Sequence, residues 1–179
     1  SHARRLIRLA MKELAPIAES AGVMLALKPA KDEASFLTTL TESLDVVNGS
    51  GSTNVGLAVD LWSFSEELLS LENKMPVIER MKIVSVADRI CNVSLGHERL
   101  PPGTGDLPLS HLLYLLLESG YSGDIEFDPI GETVAEMGYE ELLASVRRYV
   151  DQLQSDMNVI ETDRLKNELP APLAKAFFR

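Results

Sequence analysis

Four short apolar runs, Val23 to Leu27, Val55 to Val59, Ile83 to Ala87 and Ile125 to Phe127, alternate along the chain with longer stretches of helical periodicity. Val23 to Leu27 is continuous rather than alternating, which is the pattern of a strand buried on both faces, and Val55 to Val59 likewise reads as a buried strand. Between them, Leu6, Leu9, Ala10, Leu14, Ile17, Ala18 and Ala21 recur at helical spacing and stop at Gly22. Phe36, Leu37, Leu40, Leu44 and Val47 make a second helix that fades into Asn48-Gly49-Ser50-Gly51-Ser52. A third helical stretch spans about 65–81 with a break near Pro76, a fourth runs from Leu107 to Glu118, and a fifth from Tyr139 to Leu153. Alternation of this kind demands parallel strands joined by helical crossovers, because a parallel pair cannot be closed by a tight turn. Two architectures satisfy it, a doubly wound sheet and a (β/α)8 barrel. No glycine-rich phosphate loop follows any strand, which disfavours a dinucleotide fold.

The remaining segments set the domain plan. Residues 89–107 lack periodicity and contain Pro101-Pro102-Gly103-Thr104-Gly105-Asp106, a long loop of the kind that carries function in compact domains. Residues 155–179 read as a mixed extension, with Pro170 and Pro172 before the apolar end Leu173 to Phe178. The expected organisation is one domain over 1–154 followed by that extension.

Charge and composition narrow the function classes. The 17 Lys and Arg against 27 Asp and Glu leave a net charge of −10, and no basic stripe interleaved with aromatics is present. Nucleic-acid affinity is mostly phosphate neutralisation, so no nucleic-acid partner is expected. The apolar runs are far shorter than the roughly 20 residues of a membrane span, so no membrane partner is expected either. A single cysteine, Cys91, forms no internal disulfide, and the first 25 residues show no signal-peptide pattern. The expected compartment is the cytoplasm.

The most informative feature is what ends the strands: Lys28, Asp60, Ser85 with Asp88, and Glu126 with Asp128. In parallel α/β folds, ligands bind at the C-terminal ends of strands. Any one such residue can be a loop or helix cap; four in succession point to a site. Glu126 and Asp128 lie two apart and would share a strand face, which suits an acid/base pair. Trp62 and Arg99 could contact a sugar or polyol, although Trp62 equally suits core packing.

The stretches Leu14-Ala15-Pro16-Ile17-Ala18-Glu19-Ser20-Ala21-Gly22-Val23-Met24-Leu25-Ala26-Leu27-Lys28-Pro29, Asn54-Val55-Gly56-Leu57-Ala58-Val59-Asp60-Leu61-Trp62-Ser63, Arg99-Leu100-Pro101-Pro102-Gly103-Thr104-Gly105-Asp106 and Ser119-Gly120-Tyr121-Ser122-Gly123 occur in a telling order. Together they resemble the C-terminal half of the xylose isomerase-like TIM barrels, a superfamily of sugar isomerases and epimerases, hydroxypyruvate isomerase, inosose dehydratase and endonuclease IV. The resemblance implies the last four βα units of a (β/α)8 barrel. It also implies a divalent metal (Mn, Mg, Co or Zn) held by Glu, Asp, His or Gln, and Glu at the ends of those strands. Carried over by position, these ligands fall on Lys28, Asp60, Ser85 and Asp128, so Asp60 alone is unchanged and Asp128 is a shortened homologue. Ser63 falls where the family has a substrate-binding histidine, and Ile83 where it often has another. Arg99 keeps an arginine that reaches the substrate, and Asp88 joins the substrate-binding candidates.

The departures carry as much weight as the match. An ammonium has no lone pair to offer a cation. At about 4 Å and an effective dielectric of about 20 it repels a divalent ion by roughly 8 kcal/mol, comparable to the whole binding energy of a micromolar site. No cofactor is therefore expected beyond what the resemblance alone implies. Lys28 is expected to take over the metal's electrostatic role, ion-paired with Asp60 and Asp128. Two functions follow: an isomerase or epimerase of a small sugar or polyol whose catalytic groups are Asp128, Glu126 and Lys28, or a metal-free binding or structural barrel. A half-barrel would expose two strand edges, so the partner is expected to be an N-terminal half-barrel or a second copy.

Overall fold

The structure is a computed structural model describing residues 2–90 and 98–166. Cys91, His97 and the apolar end from Leu173 to Phe178 lie outside the described residues. The chain divides into two compact units, the first comprising residues 1–85 and 123–126, the second 86–122 and 127–179.

The first unit contains a four-stranded sheet in the order β1 (Leu25–Leu27), β2 (Val55–Asp60), β3 (Met81–Val86) and β4 (Asp124–Phe127), the last residues of β3 and β4 passing into the second unit. β1 pairs with β2, and β2 with β3, in parallel. Spatial order follows chain order without reversal. A doubly wound sheet would turn back at a switch point, whereas a barrel adds each βα unit to the same side, so the order selects the barrel. Four helices belong to this unit: α1 (His2–Ser20), α2 (Leu40–Gly49), α3 (Leu61–Ser70) and the single turn α4 (Met75–Ile78). α2 packs against α1, α3, α4 and β2.

β2 is the one strand buried along its whole length. Its two faces differ in kind. Val55, Leu57 and Val59 alternate with Gly56, Ala58 and Asp60, so one face is bulky and aliphatic and the other small and polar. The aliphatic side joins the buried Leu40, Val46, Val47, Phe64 and Leu68 of α2 and α3 in the core. The small side is closely approached: a Cβ on Gly56 would strike the Lys82 side chain and come within 2.7 Å of the Arg80 carbonyl oxygen. Gly56→Ala should therefore cost about 2 kcal/mol, read from the midpoint of a denaturant melt.

Some local expectations shift. Val23 to Leu27 is not a strand buried on both faces: only Leu25–Leu27 is extended and half-buried, and Val23 and Met24 are exposed, because β1 is a sheet edge with a neighbour on one side only. The second helix starts at Leu40, where the Thr39 hydroxyl caps it by accepting from the Glu42 N–H at 3.2 Å. Leu37 is buried ahead of the helix while Phe36 stays exposed. The third stretch begins earlier than its periodicity suggests, at Leu61, because Asp60 caps it, and it yields Met81 to β3.

The second unit contains α5 (Leu109–Glu118), α6 (Glu132–Met137) and α7 (Tyr139–Lys166). α6 has no counterpart in the sequence reading. α7 passes Leu153 without a break and continues to Lys166, so residues 155–166 are helical. It meets α5 through Tyr149, whose hydroxyl lies 3.2 Å from Ser110 Oγ, and its Leu153 carbonyl accepts from the Tyr114 hydroxyl at 3.5 Å. The Phe127 ring meets Tyr149 edge to face. Burial pushes the Tyr149 phenol above its usual 10.0, the charge of Asp88 adds to this, and the Ser110 hydrogen bond opposes it. A raised folded value favours the neutral phenol, so this group's share of stability is present below pH 10 and is lost as pH climbs through the raised value. Ser110→Ala should move the phenol higher still, visible in an ultraviolet titration of tyrosinate. No described helix is long and apolar enough to cross a membrane.

Candidate functional site

The strand ends place the polar residues, and a single irregularity decides which ones meet. Leu57 lies opposite Met81, but from Ala58 onward the register advances by one, so Asp60 faces Ser85 instead of Val84. A one-residue shift exchanges the two faces of a strand. It puts Ser85 on the small, polar face with Asp60.

On that face Lys28 Nζ donates to Ser85 Oγ at 3.3 Å, and Ser85 Oγ donates to Glu126 Oε1 at 3.0 Å. The link spans from the end of β1 to β4, with Ser85, 1% exposed, as the relay and Lys28 and Glu126 open to solvent. Both hydroxyl functions of Ser85 are used in one direction, accepting from the cation and donating to the carboxylate. Asp60 belongs to a separate arrangement. Its Oδ1 accepts from the Trp62 N–H at 3.1 Å and its Oδ2 from the Ser63 hydroxyl at 2.8 Å, which makes it the N-cap of α3. Trp62 and Ser63 are half-buried beside it.

The expected ion pair of Lys28 with Asp60 is corrected by these contacts. Among the described residues Lys28 makes no ion pair with Asp60; its carboxylate partner is Glu126, reached through Ser85. Asp128 has left the strand, since β4 ends at Phe127. In the second unit it is held by Arg99, whose Nη2 lies 2.8 Å from both carboxylate oxygens. A guanidinium has the planar donor geometry for a carboxylate, which Lys28 lacks. Glu126 and Asp128, paired on one face by the sequence pattern, therefore serve different partners.

Asp88 is buried and saturated. Its Oδ1 accepts from the N–H groups of Arg89 at 2.9 Å and Leu107 at 3.0 Å, and its Oδ2 from Gly103 at 3.0 Å and Gly105 at 2.9 Å. The Pro-Pro-Gly-Thr-Gly-Asp segment is thus a cradle closed around one carboxylate. Gly103 adopts φ +80°, and a Cβ on Gly105 would fall 2.5 Å from both Arg89 O and Asp88 Oδ1, which explains why both positions are glycine. Asp88 and Leu100 also exchange backbone hydrogen bonds, and Arg99 does so with Ile130. The clamp therefore sets the backbone from which Arg99 reaches Asp128. This role was missed in the sequence; the spacing of two glycines after a proline pair was its signal.

The residues do not fit a divalent metal. Lys28 is a donor with no lone pair, Ser85 is engaged on both sides and Asp60 caps a helix. No group of three or more His, Cys, Asp or Glu that could hold a metal occurs among the described residues. Of the histidines described, His111 is exposed on α5 and His2 on α1.

The family model described as Xylose isomerase-like TIM barrel matches residues 1–150. The chain belongs to the xylose isomerase-like TIM barrel family. Among this family's curated members, an inosose isomerase of Halalkalibacterium halodurans is 23% identical over 158 residues, covering 86% of this chain and 56% of that protein. A D-psicose 3-epimerase of Enterocloster bolteae is 27% identical over 121 residues, covering 66% and 38% respectively. This chain thus spans about half the length of the curated relatives it matches, or less. Among solved structures, the IolI protein with a bound zinc atom superposes with a TM-score of 0.70 at 22% identity, covering 86% of this chain and 56% of that one. A xylose isomerase-like barrel protein from Mycobacterium smegmatis in complex with magnesium gives 0.65 at 18% identity, covering 86% and 51%. Zinc and magnesium are thus bound by relatives of this fold.

Proposed function

We propose that this member of the xylose isomerase-like family binds a small sugar or polyol at the C-terminal ends of its strands without a divalent metal, with Lys28 supplying the positive charge. The observation that carries this reading is the Lys28 to Ser85 to Glu126 chain, which sets an ammonium, a donor with no lone pair for a cation, at the strand ends and links it to a carboxylate. Lys28 would donate to a substrate hydroxyl or carbonyl oxygen, Glu126 would accept from a neighbouring hydroxyl, and Trp62 and Ser63 would flank the ligand beside Asp60. The relatives support the ligand class, since their names specify an inosose and D-psicose.

The isomerase or epimerase reading adds one step. Glu126 would remove a proton from the carbon beside a substrate carbonyl while Lys28 hydrogen-bonds the carbonyl oxygen as negative charge gathers on it, and the proton would return from Glu126. Binding alone needs no such transfer. We place the protein in the cytoplasm on its composition. Thermal melting after EDTA treatment, then with Mn²⁺, Mg²⁺, Co²⁺ or Zn²⁺ added singly, should show no rise in midpoint, because an ion bound only by the folded state would raise it by mass action. D-psicose or an inosose should raise it. Deuterium incorporation from heavy water into the bound sugar, followed by proton NMR, separates catalysis from binding. A clear metal-induced rise would overturn the metal-free reading.

A further inference from the structure

Lys28 stands on the segment between β1 and α2, and the contacts that anchor this segment lie within the first unit. β1 pairs with β2 as far as Leu27 opposite Leu57, so Lys28 is the first residue past that ladder. Beyond it Pro29 is buried, and the Ala30 N–H donates to the Leu37 carbonyl at 3.1 Å, which closes residues 30–37 into a loop. Arg4 donates from Nε to the Phe36 carbonyl at 3.0 Å and so grips the loop at one point. Glu67 of α3 grips the segment at both ends. Its Oε1 accepts from the Leu40 N–H at 2.6 Å, where α2 begins, and its Oε2 lies 3.7 Å from Nζ of Lys31, shortly after Lys28. Lys31 also lies over the ring of Phe64, one turn back along α3, at 5.0 Å from its centroid.

We propose that Glu67 is a positioning residue for Lys28: one carboxylate clasps the two ends of the segment after β1 and thereby sets where the Lys28 ammonium stands beside Ser85. The inference rests on the reading of Lys28 as a group that meets the ligand. A carboxylate serving only to cap α2 would need a single oxygen, and the first turn of that helix already has the Thr39 hydroxyl as acceptor for the Glu42 N–H. The second oxygen goes instead to the start of the segment. The two halves of the clasp differ in strength. The Leu40 N–H meets a charged acceptor at short range, worth at least about tenfold in a local opening equilibrium, whereas an ion pair with a lysine side chain 42% exposed is worth about two- to fivefold. α3 is also the helix that Asp60 caps, so one element holds Asp60 at its start and, through Glu67, the segment that carries Lys28.

NMR of the isotope-labelled chain tests this without any ligand. Two local readouts report the segment: hydrogen exchange at the Ala30 N–H, and the nuclear Overhauser contact between the Lys28 ε-methylene and Ser85 β-methylene protons. Exchange at the Leu57 N–H, bonded to the Arg80 carbonyl, reports the sheet. Glu67→Ala should speed Ala30 exchange at least about tenfold and weaken the Lys28 to Ser85 contact while Leu57 exchange stays unchanged. Glu67→Gln keeps an acceptor for the Leu40 N–H and loses only the ion pair. It should therefore restore the contact and share with Lys31→Met an acceleration of about two- to fivefold that the double variant does not exceed. These two milder variants carry the test if Glu67→Ala does not fold. Ala30 exchange and a Lys28 to Ser85 contact indifferent to Glu67→Ala would overturn the proposal. So would additive effects of Glu67→Gln and Lys31→Met, or an acceleration at Leu57 equal to that at Ala30 in either. Where D-psicose binds, its dissociation constant should rise across the variants in the same order. An unaltered chain that binds neither D-psicose nor an inosose would overturn the proposed function alone, and the two NMR readouts would still decide the clasp.

Discussion

Replacing Asp88 with alanine should remove on the order of 5 kcal/mol of stability, because four backbone N–H groups lose a charged acceptor at once. Each such bond contributes about 1.5–3 kcal/mol, and those donors, closed in around a buried carboxylate, would be left poorly solvated. Folded domains have only about 5–15 kcal/mol in total, so the variant should sit near its unfolding threshold. Asp88→Asn discriminates a clamp from a mere space filler. Its shape is conserved, yet only one terminal atom remains an acceptor, and the amide N–H groups would face two backbone donors. We expect Asn to lose at least half of what Ala loses, measured by urea unfolding, with hydrogen exchange accelerated at Gly103, Gly105 and Leu107. Near-native stability of Asp88→Asn would show that the cradle does not depend on charge.

The second large effect is a gain. Lys28→Glu should raise the chain's affinity for divalent ions, since it removes a repelling charge and adds a lone-pair donor in one step. Adding Ser85→His supplies an imidazole opposite Asp60, its register partner. The double variant should bind Zn²⁺ or Mn²⁺ at least about a hundredfold more tightly than Lys28→Glu alone, a difference of about 2.7 kcal/mol, measured calorimetrically. Failure of both variants to bind any ion would mean that Asp60, committed to Trp62 and Ser63, is too firmly held as a helix cap to turn toward a metal.

Much of the architecture was legible because its causes are local. Val55 to Val59 reads as a buried strand from five residues, and Asp60 marks its end whatever surrounds it. The helices over Leu109 to Glu118 and from Tyr139 onward follow from spacing alone. Legibility falls where a local pattern is ambiguous. Phe36 and Leu37 fit a helix period, yet the Thr39 cap starts the helix after them, and an apolar run such as Val23 to Leu27 gives no sign that its strand has only one neighbour.

The candidate site was legible as a set of residues and not as a set of contacts. Lys28, Asp60, Ser85, Asp88, Glu126 and Asp128 lie at or just beyond strand ends, where sequence order put them. Which of them join was decided by tertiary structure. A register advance between Leu57 and Ala58 set Ser85 opposite Asp60, the planar donors of Arg99 claimed Asp128, and two glycines let the backbone close on Asp88. A chain's periodicity records which face each residue prefers, since that depends on its own side chain and near neighbours. Hydrogen-bond partners separated by as many as 57 positions, as Lys28 and Ser85 are, depend on register and backbone approach, which no local pattern encodes.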